Sequence, residues 1–147
     1  SEFDLASPPH EVTCRKVRST EGELFGAIIC SGFGLSEALI PVWASIVGKD
    51  DWSCFFALDG DRPIGTGVMY SSGNTGWLGG GTVLPSFRNR GAHKALISAR
   101  LDEGKARGAS AFVVEAKISP PSTASVSYEN LKKLGFQHVY SRSNFVF

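Results

Sequence analysis

A basic turn past the middle of the chain carries the residue types best suited to binding and chemistry. The turn and the helix expected after it read Arg88, Asn89, Arg90, Gly91, Ala92, His93 and Lys94. The start of a helix presents backbone N–H groups and a partial positive charge, and both favour an anion. Gly91 lets a ligand approach the backbone closely, and the neighbouring cations add full charges. The pattern predicts a phosphate site, with a solvated surface turn as the alternative.

The elements on either side are expected to position this turn. Residues 77–84 read as a strand that ends at Pro85, which cannot donate a hydrogen bond to a neighbouring strand. After the turn, apolar residues recur at helical spacing and Gly108 is placed to end the helix, which predicts a helix over 92–107. Glycines 79–81 are unusual inside a strand. They indicate a β-bulge or the close approach of another backbone-like group, or else a tightly twisted sheet.

The other elements alternate in type along the chain. Residues 12–17 suit a strand, and the helix after it is expected to end near Cys30. A second helix is expected from Ser36 to Gly48, with Pro41 kinking it or delaying its start. Residues 54–58 and 63–70 predict a hairpin around an Asp-Gly pair, and residues 111–115 predict another strand. With a last helix ending at Gly135 and one or two strands after it, the order predicts a mixed α/β domain.

Composition limits the classes of function. The chain has 147 residues, 42% of them hydrophobic, and a formal net charge of +1, which fits one domain with a sizeable core. Near-neutral charge argues against a nucleic-acid partner, and no apolar run is long enough for a membrane span. Cys14, Cys30 and Cys54 lack metal-binding spacing, which favours a reducing cytoplasm and no metal centre. We expect residues 1–10 to be a cloning-derived start and an extended leader, and 11–147 to form one domain, with a longer natural chain left open.

Two segments resemble the motifs of the GNAT N-acetyltransferase superfamily. Val83-Leu84-Pro85 followed by the segment from Arg88 to His93 resembles its cofactor motif, which is Gln or Arg, two residues, Gly, one residue, then Gly or Ala. His93 departs from that pattern. The segment Ser127-Tyr128-Glu129-Asn130, with Leu134-Gly135-Phe136 after it, resembles the superfamily's last-helix signature, in the form of a Ser-Tyr-x-Asn subgroup. Together the two segments cover the chain from about residue 77 to its end.

The resemblance implies a GNAT fold, with a central, mostly antiparallel sheet that contains a splayed strand pair and is flanked by helices. It implies acetyl-CoA as co-substrate and acetyl transfer to a primary amine of a small molecule or peptide by direct attack, and it leaves a homodimer open. The pyrophosphate is expected at residues 88–94. The implied contacts of the pantetheine arm are Gly81, Thr82, Val83, Ser127 and Asn130.

The implied catalytic residues lie late in the chain. Acetyl transfer needs a base, an oxyanion donor and an acid. Residues 77–83 contain no carboxylate, so Glu115 is the expected base, acting through a water; a structural ion pair is its alternative role. Leu131 occupies the position of the usual acidic tyrosine, so Tyr128 is the expected acid, with packing as the alternative. His93 is expected to titrate near neutral pH and to contact phosphate or solvent.

The acceptor is not identified by the sequence. In the superfamily the segment between the first two strands walls the acceptor site, which points to Phe33 and Trp43; packing in the core is the alternative for both. The chain lacks an acidic cluster of the kind that would bind a polycationic acceptor. A non-catalytic acyl-CoA-binding or regulatory module is the alternative function, and a different phosphate-ligand protein is a third.

Overall fold

The computed structural model of this protein describes residues 11–114. Contacts between residues group the chain into two compact units, residues 1–115 and residues 116–147. Every described residue lies in the first unit. The helices and strands are β1 Val12–Lys16, α1 Gly22–Phe33, α2 Ile40–Ala44, β2 Trp52–Asp59, β3 Arg62–Ser72, β4 Thr75–Val83, α3 Ala92–Ala106 and β5 Ala111–Val114. Short 3-10 turns occur at Ser19–Glu21, Glu37–Leu39 and Pro85–Phe87.

The described strands form one sheet in the order β1-β2-β3-β4-β5. The first four are antiparallel neighbours, whereas β4 and β5 run parallel. The parallel pairing joins Thr75 to Ala111 and ends at Leu78 and Val114. A mixed α/β fold with a mostly antiparallel sheet flanked by helices is therefore confirmed. The segment of β4 that leads into the basic turn lies beyond the described pairing with β5.

Both faces of the central strands are covered, which is why β2 is buried from Ser53 to Leu58. Successive side chains on a strand point to opposite faces, so Phe55 and Phe56 enter different cores. One core contains α1 residues and consists of Phe25, Ile28, Ile29, Cys54, Phe56, Leu58 and Val68. The other contains α3 residues and consists of Phe55, Ala57, Ile64, Val83, Ala92 and Leu96. The second core fixes α3, and with it the basic turn, against the sheet.

The first two helices differ from their predicted lengths. α1 runs past Cys30 to Phe33, and Gly34, with φ 68°, ends it in the left-handed conformation. Gly32 lies within this helix, where α1 packs so closely on β4 that an added Cβ would overlap the Thr82 side chain. Ser36 accepts a hydrogen bond from the Ala38 N–H (3.2 Å), and Pro41 lies in the first turn of α2. The delayed start is thus confirmed, but α2 ends at Ala44 and the predicted extension to Gly48 is wrong.

The β2–β3 hairpin and the C-terminal end of α3 agree with the predictions from the sequence. Gly60, with φ 62°, forms the predicted turn between β2 and β3. α3 ends at Ala106, Gly108 has φ 93°, and the Ala109 N–H donates to the Gly104 carbonyl (2.9 Å). This is the glycine-terminated helix end that the sequence predicts.

Candidate functional site

The backbone of the basic turn is shaped by two residues in the left-handed region. Asn89 has φ 65° and Gly91 has φ 83°, one on each side of Arg90. A Cβ at Gly91 would meet nothing within 4 Å, so the conformation, and not crowding, favours glycine there. α3 begins immediately afterwards at Ala92. The N–H groups of its first turn have no preceding intrahelical carbonyl to bond, as an anion site requires.

The cations of the turn fall into two groups. Arg88 and Lys94 are exposed, and the Nε of Arg88 donates to the Val83 carbonyl at the end of β4 (3.1 Å). Arg90 is partly buried and forms a two-pronged ion pair with Asp59, at 3.0 and 3.2 Å. Its guanidinium also lies 5.6 Å from the centre of the Phe87 ring. The Arg90 side chain therefore ties the turn to the end of β2, while Arg88 and Lys94 face solvent.

His93 lies in the first turn of α3 and is partly buried. Burial, and after it the positive charge of Arg100, lower the pKa of His93 from 6.5 to about 4. The imidazole is therefore neutral at physiological pH, and the expectation that it titrates near neutrality is wrong. The position of His93 in the sequence did not indicate its lowered pKa, because burial of the ring depends on packing between α3 and the sheet.

The glycines of β4 form a bulge. Thr66 pairs with Thr82 and Val68 pairs with Gly79, so two residues of β4, 80 and 81, face one residue of β3. Gly80 has φ 57°, and a Cβ there would lie 2.8 Å from the Val68 side chain. The predicted bulge is confirmed, and both conformation and space require glycine at this point. Beyond it, Thr82 and Val83 are buried and lead into the turn.

Arg100 is a buried cation next to the bulge that no sequence motif indicated. Its side chain is 2% exposed, its Nη1 donates to the Gly79 carbonyl (3.0 Å) and its Nε to the Leu96 carbonyl (3.0 Å). Burial lowers the pKa of Arg100 from 12.5 to about 10, so the guanidinium stays charged at neutral pH. The available signal was an arginine on the apolar face of α3, one turn after Leu96.

The two proposed acceptor residues occupy different environments. Phe33, the last residue of α1, is 48% exposed. Trp43 in α2 is partly buried and packs against the core that contains Phe25. Phe33 is thus accessible, whereas the packing alternative applies in part to Trp43.

Several predicted site residues lie outside the described residues, namely Glu115, Ser127, Tyr128 and Asn130. Among residues 11–114, no group of three or more His, Cys, Asp or Glu side chains is arranged to hold a metal ion. Within the same range, no helix is both long enough and apolar enough to cross a membrane.

The structure thus places a bulged strand, a basic turn and a helix in succession against the sheet. The family model for the acetyltransferase (GNAT) family matches residues 28–136. The chain therefore belongs to the GNAT acetyltransferase family. No curated protein sequence matches it.

Solved structures show the same fold. An aminoglycoside N-acetyltransferase, AAC(6')-Iy, in complex with CoA is 24% identical with a TM-score of 0.75, over 96% of this chain and 97% of that chain. A predicted acetyltransferase with acetyl-CoA from Clostridium acetobutylicum is 14% identical with a TM-score of 0.70, over 92% and 96%. A ribosomal-protein-alanine N-acetyltransferase from Brucella melitensis biovar Abortus 2308 is 15% identical with a TM-score of 0.71, over 92% and 99%. At these identities the likeness establishes the fold alone.

Proposed function

We propose that this protein is an acetyl-CoA-dependent N-acetyltransferase that moves an acetyl group to a primary amine of a small molecule or peptide. The observation that carries the proposal is the continuous path from the β4 bulge through two left-handed residues to the start of α3. This path brings a stretch of strand backbone beyond the described β4–β5 pairing next to helix N–H groups that have no intrahelical carbonyl partner. An acyl-CoA needs both, because its pantetheine arm is amide-rich and its pyrophosphate is anionic.

Within this proposal the turn residues have separate roles. Backbone N–H groups at Ala92, His93 and Lys94 bind phosphate oxygens, and the exposed side chains of Arg88 and Lys94 balance the charge. Asn89 and Gly91 supply the backbone shape. The guanidinium of Arg90 is already bonded to Asp59, so we assign it to holding the turn and leave its backbone N–H for the ligand.

The pantetheine arm is assigned to the backbone of Gly81, Thr82 and Val83, with Ser127 and Asn130 as further contacts. The amine nitrogen attacks the thioester carbonyl carbon, a C–N bond forms, and the C–S bond breaks. Glu115 takes the proton from the amine through a water, and Tyr128 gives a proton to the departing thiolate. Strand backbone near Val83 stabilises the developing oxyanion. These roles extend the family resemblance to this chain.

The acceptor is proposed to contact Phe33 and the partly buried Trp43. Three further apolar side chains near them are exposed, namely Leu35 at 38%, Leu39 at 39% and Val42 at 61%. Apolar surface of this kind favours an acceptor that has an apolar part beside its amine. A Phe33→Ser variant is then expected to raise KM for the amine more than it changes KM for acetyl-CoA.

A non-catalytic acyl-CoA-binding module is the second candidate. It is favoured by Leu131 at the usual tyrosine position and by the absence of a carboxylate in residues 77–83. Glu115→Gln separates the two. An enzyme loses turnover and keeps acyl-CoA binding, whereas a binding module has no turnover in an amine screen before or after the change.

The first experiment is calorimetric titration with acetyl-CoA, desulfo-CoA and ATP. Gly91→Val is the test variant and Gly48→Val its matched control, because the two glycines have φ of 83° and 85° and neither has an atom within 4 Å of an added Cβ. Both variants carry similar backbone strain, but only Gly91 lies in the turn. Since one charge-assisted hydrogen bond contributes about 1.5–3 kcal/mol, we expect Gly91→Val to weaken acetyl-CoA binding by about tenfold or more.

The outcomes separate the hypotheses. Binding of both CoA species without ATP, lost in Gly91→Val and kept in Gly48→Val, supports the proposal. Equal binding of ATP points to a different phosphate ligand. No binding of any of the three ligands overturns the acyl-CoA site.

A further inference from the structure

The carbonyl groups of the β4 bulge are held by side chains. Arg100 on α3 donates through Nη1 to the Gly79 carbonyl (3.0 Å), and Thr66 on β3 donates through Oγ1 to the Gly80 carbonyl (2.9 Å). A bulge disturbs the regular strand pairing locally, so carbonyls there need other donors. Two consecutive carbonyls of β4 are therefore fixed from two different elements.

Burying the two donor side chains costs folding free energy. Thr66 is fully buried and Arg100 is 2% exposed. No ion pair within residues 11–114 includes Arg100, so the described partners of this cation are neutral carbonyls. Burying a guanidinium without a carboxylate is unfavourable, and its hydrogen bonds offset only part of that cost.

The sheet also leaves room for the guanidinium. A Cβ at Gly67 would lie 2.8 Å from Nε of Arg100, and a Cβ at Gly81 would lie 3.2 Å from Nη2. Gly67 faces the bulge from β3, and Gly81 is one of its two residues. Glycine on both strands thus creates the space in which the arginine reaches the bulge.

We propose that Thr66 and Arg100 are positioning residues that hold the β4 bulge in the shape that receives the pantetheine arm of an acyl-CoA. This inference rests on the proposed function. Fixing the carbonyls of residues 79 and 80 fixes the peptide planes that lead to Gly81, whose backbone is assigned to the ligand. Thr66 and Arg100 therefore affect the binding of the pantetheine arm. They do not affect the binding of the phosphates, which is assigned to the start of α3.

The test compares two ligands that share the phosphate end. CoA carries the pantetheine arm, whereas adenosine 3′-phosphate 5′-diphosphate lacks the arm but keeps all three phosphates, and the ratio of their Kd values reports the contribution of the arm. The variants are Thr66→Val, which has nearly the same shape without the donor, Thr66→Ser, which keeps the donor, and Arg100→Lys. Ser53→Ala is the control, because Ser53 is also buried and loses a hydrogen bond to Glu103, away from the bulge.

We expect Thr66→Val to weaken CoA binding by about fivefold and Arg100→Lys by about tenfold, with unchanged binding of adenosine 3′-phosphate 5′-diphosphate. Thr66→Ser restores the wild-type ratio, and Ser53→Ala keeps it. If the two ligands weaken equally, or if neither weakens, the inference is overturned while the acyl-CoA site stands. If the wild-type protein shows no preference for CoA over adenosine 3′-phosphate 5′-diphosphate, the proposed function itself fails and this inference with it.

Discussion

The ion pair between Arg90 and Asp59 gives the sharpest test of how the turn is held. The carboxylate ends β2, the guanidinium lies in the turn, and the two side chains are 17% and 25% exposed. Two unit charges about 4 Å apart attract by about 4 kcal/mol at an effective dielectric constant of about 20. Desolvation and lost side-chain freedom offset much of this, since fully exposed pairs contribute at most about 1 kcal/mol. For a partly buried, two-pronged pair we expect a coupling of about 1–2 kcal/mol.

The assay is a double-mutant cycle with Arg90→Gln and Asp59→Asn, read as free energies of unfolding from urea titrations. The contact of Arg90 with Phe87 is lost in both variants that lack the arginine, so it cancels in the cycle. Asp61→Asn, an exposed carboxylate of the same hairpin turn, serves as the control and should show no coupling to Arg90→Gln. A coupling below about 0.3 kcal/mol for the Asp59 cycle would refute the structural role assigned to Arg90.

Three further predictions concern packing and pH. Gly104→Ala places a Cβ against the Phe112 ring, so we expect a loss of about 1–3 kcal/mol in urea denaturation; an unchanged midpoint would contradict this packing. His93, with its pKa lowered to about 4, should show no change of imidazole charge by NMR between about pH 8 and pH 6, and an inflection near its ordinary value would contradict its burial. The hydrogen bond from Arg15 lowers the pKa of Glu21 from 4.5 to about 2, so its stabilisation is complete above pH 4.5 and is lost as pH falls through about 2. The difference in unfolding free energy between wild type and Glu21→Gln should therefore shrink over that range, and a difference independent of pH would count against the pair.

Local signals in the sequence were enough to predict most elements. Gly60 and Gly108 occupy left-handed positions that few other residues adopt, so the β2–β3 hairpin and the end of α3 could be placed correctly. α1 was predicted too short because Ser31, Gly32 and Phe33 were read as a helix break. Glycine at position 32 instead fits the close packing of α1 on Thr82, and that contact depends on tertiary structure.

The β4 bulge of the candidate site was predicted correctly because its signal is local, whereas the anion site at the turn stays a prediction. The turn sequence implies an anion site, and glycines 79–81 imply a bulge, because each feature depends on residues adjacent in the chain. The partner of Arg90 is 31 residues away, and the carbonyl bonded to Arg100 is 21 residues away. Such contacts depend on how strands and helices pack, so sequence spacing did not indicate them. The neutral state of His93 was missed for the same reason.

Burial separates the cations around this site by role. Arg90 and Arg100 lie against the protein and are bonded to its oxygens, because a buried cation without a partner is unfavourable. Arg88 and Lys94 are exposed, so their charges are available to a ligand and are screened by salt. Removing the charge of Lys94 should therefore weaken phosphate binding in a salt-dependent way with little effect on stability, whereas Arg88 also bonds the Val83 carbonyl. Removing a buried cation should change the shape of the turn or of the bulge, and a loss of affinity should follow from that change of shape at any salt concentration.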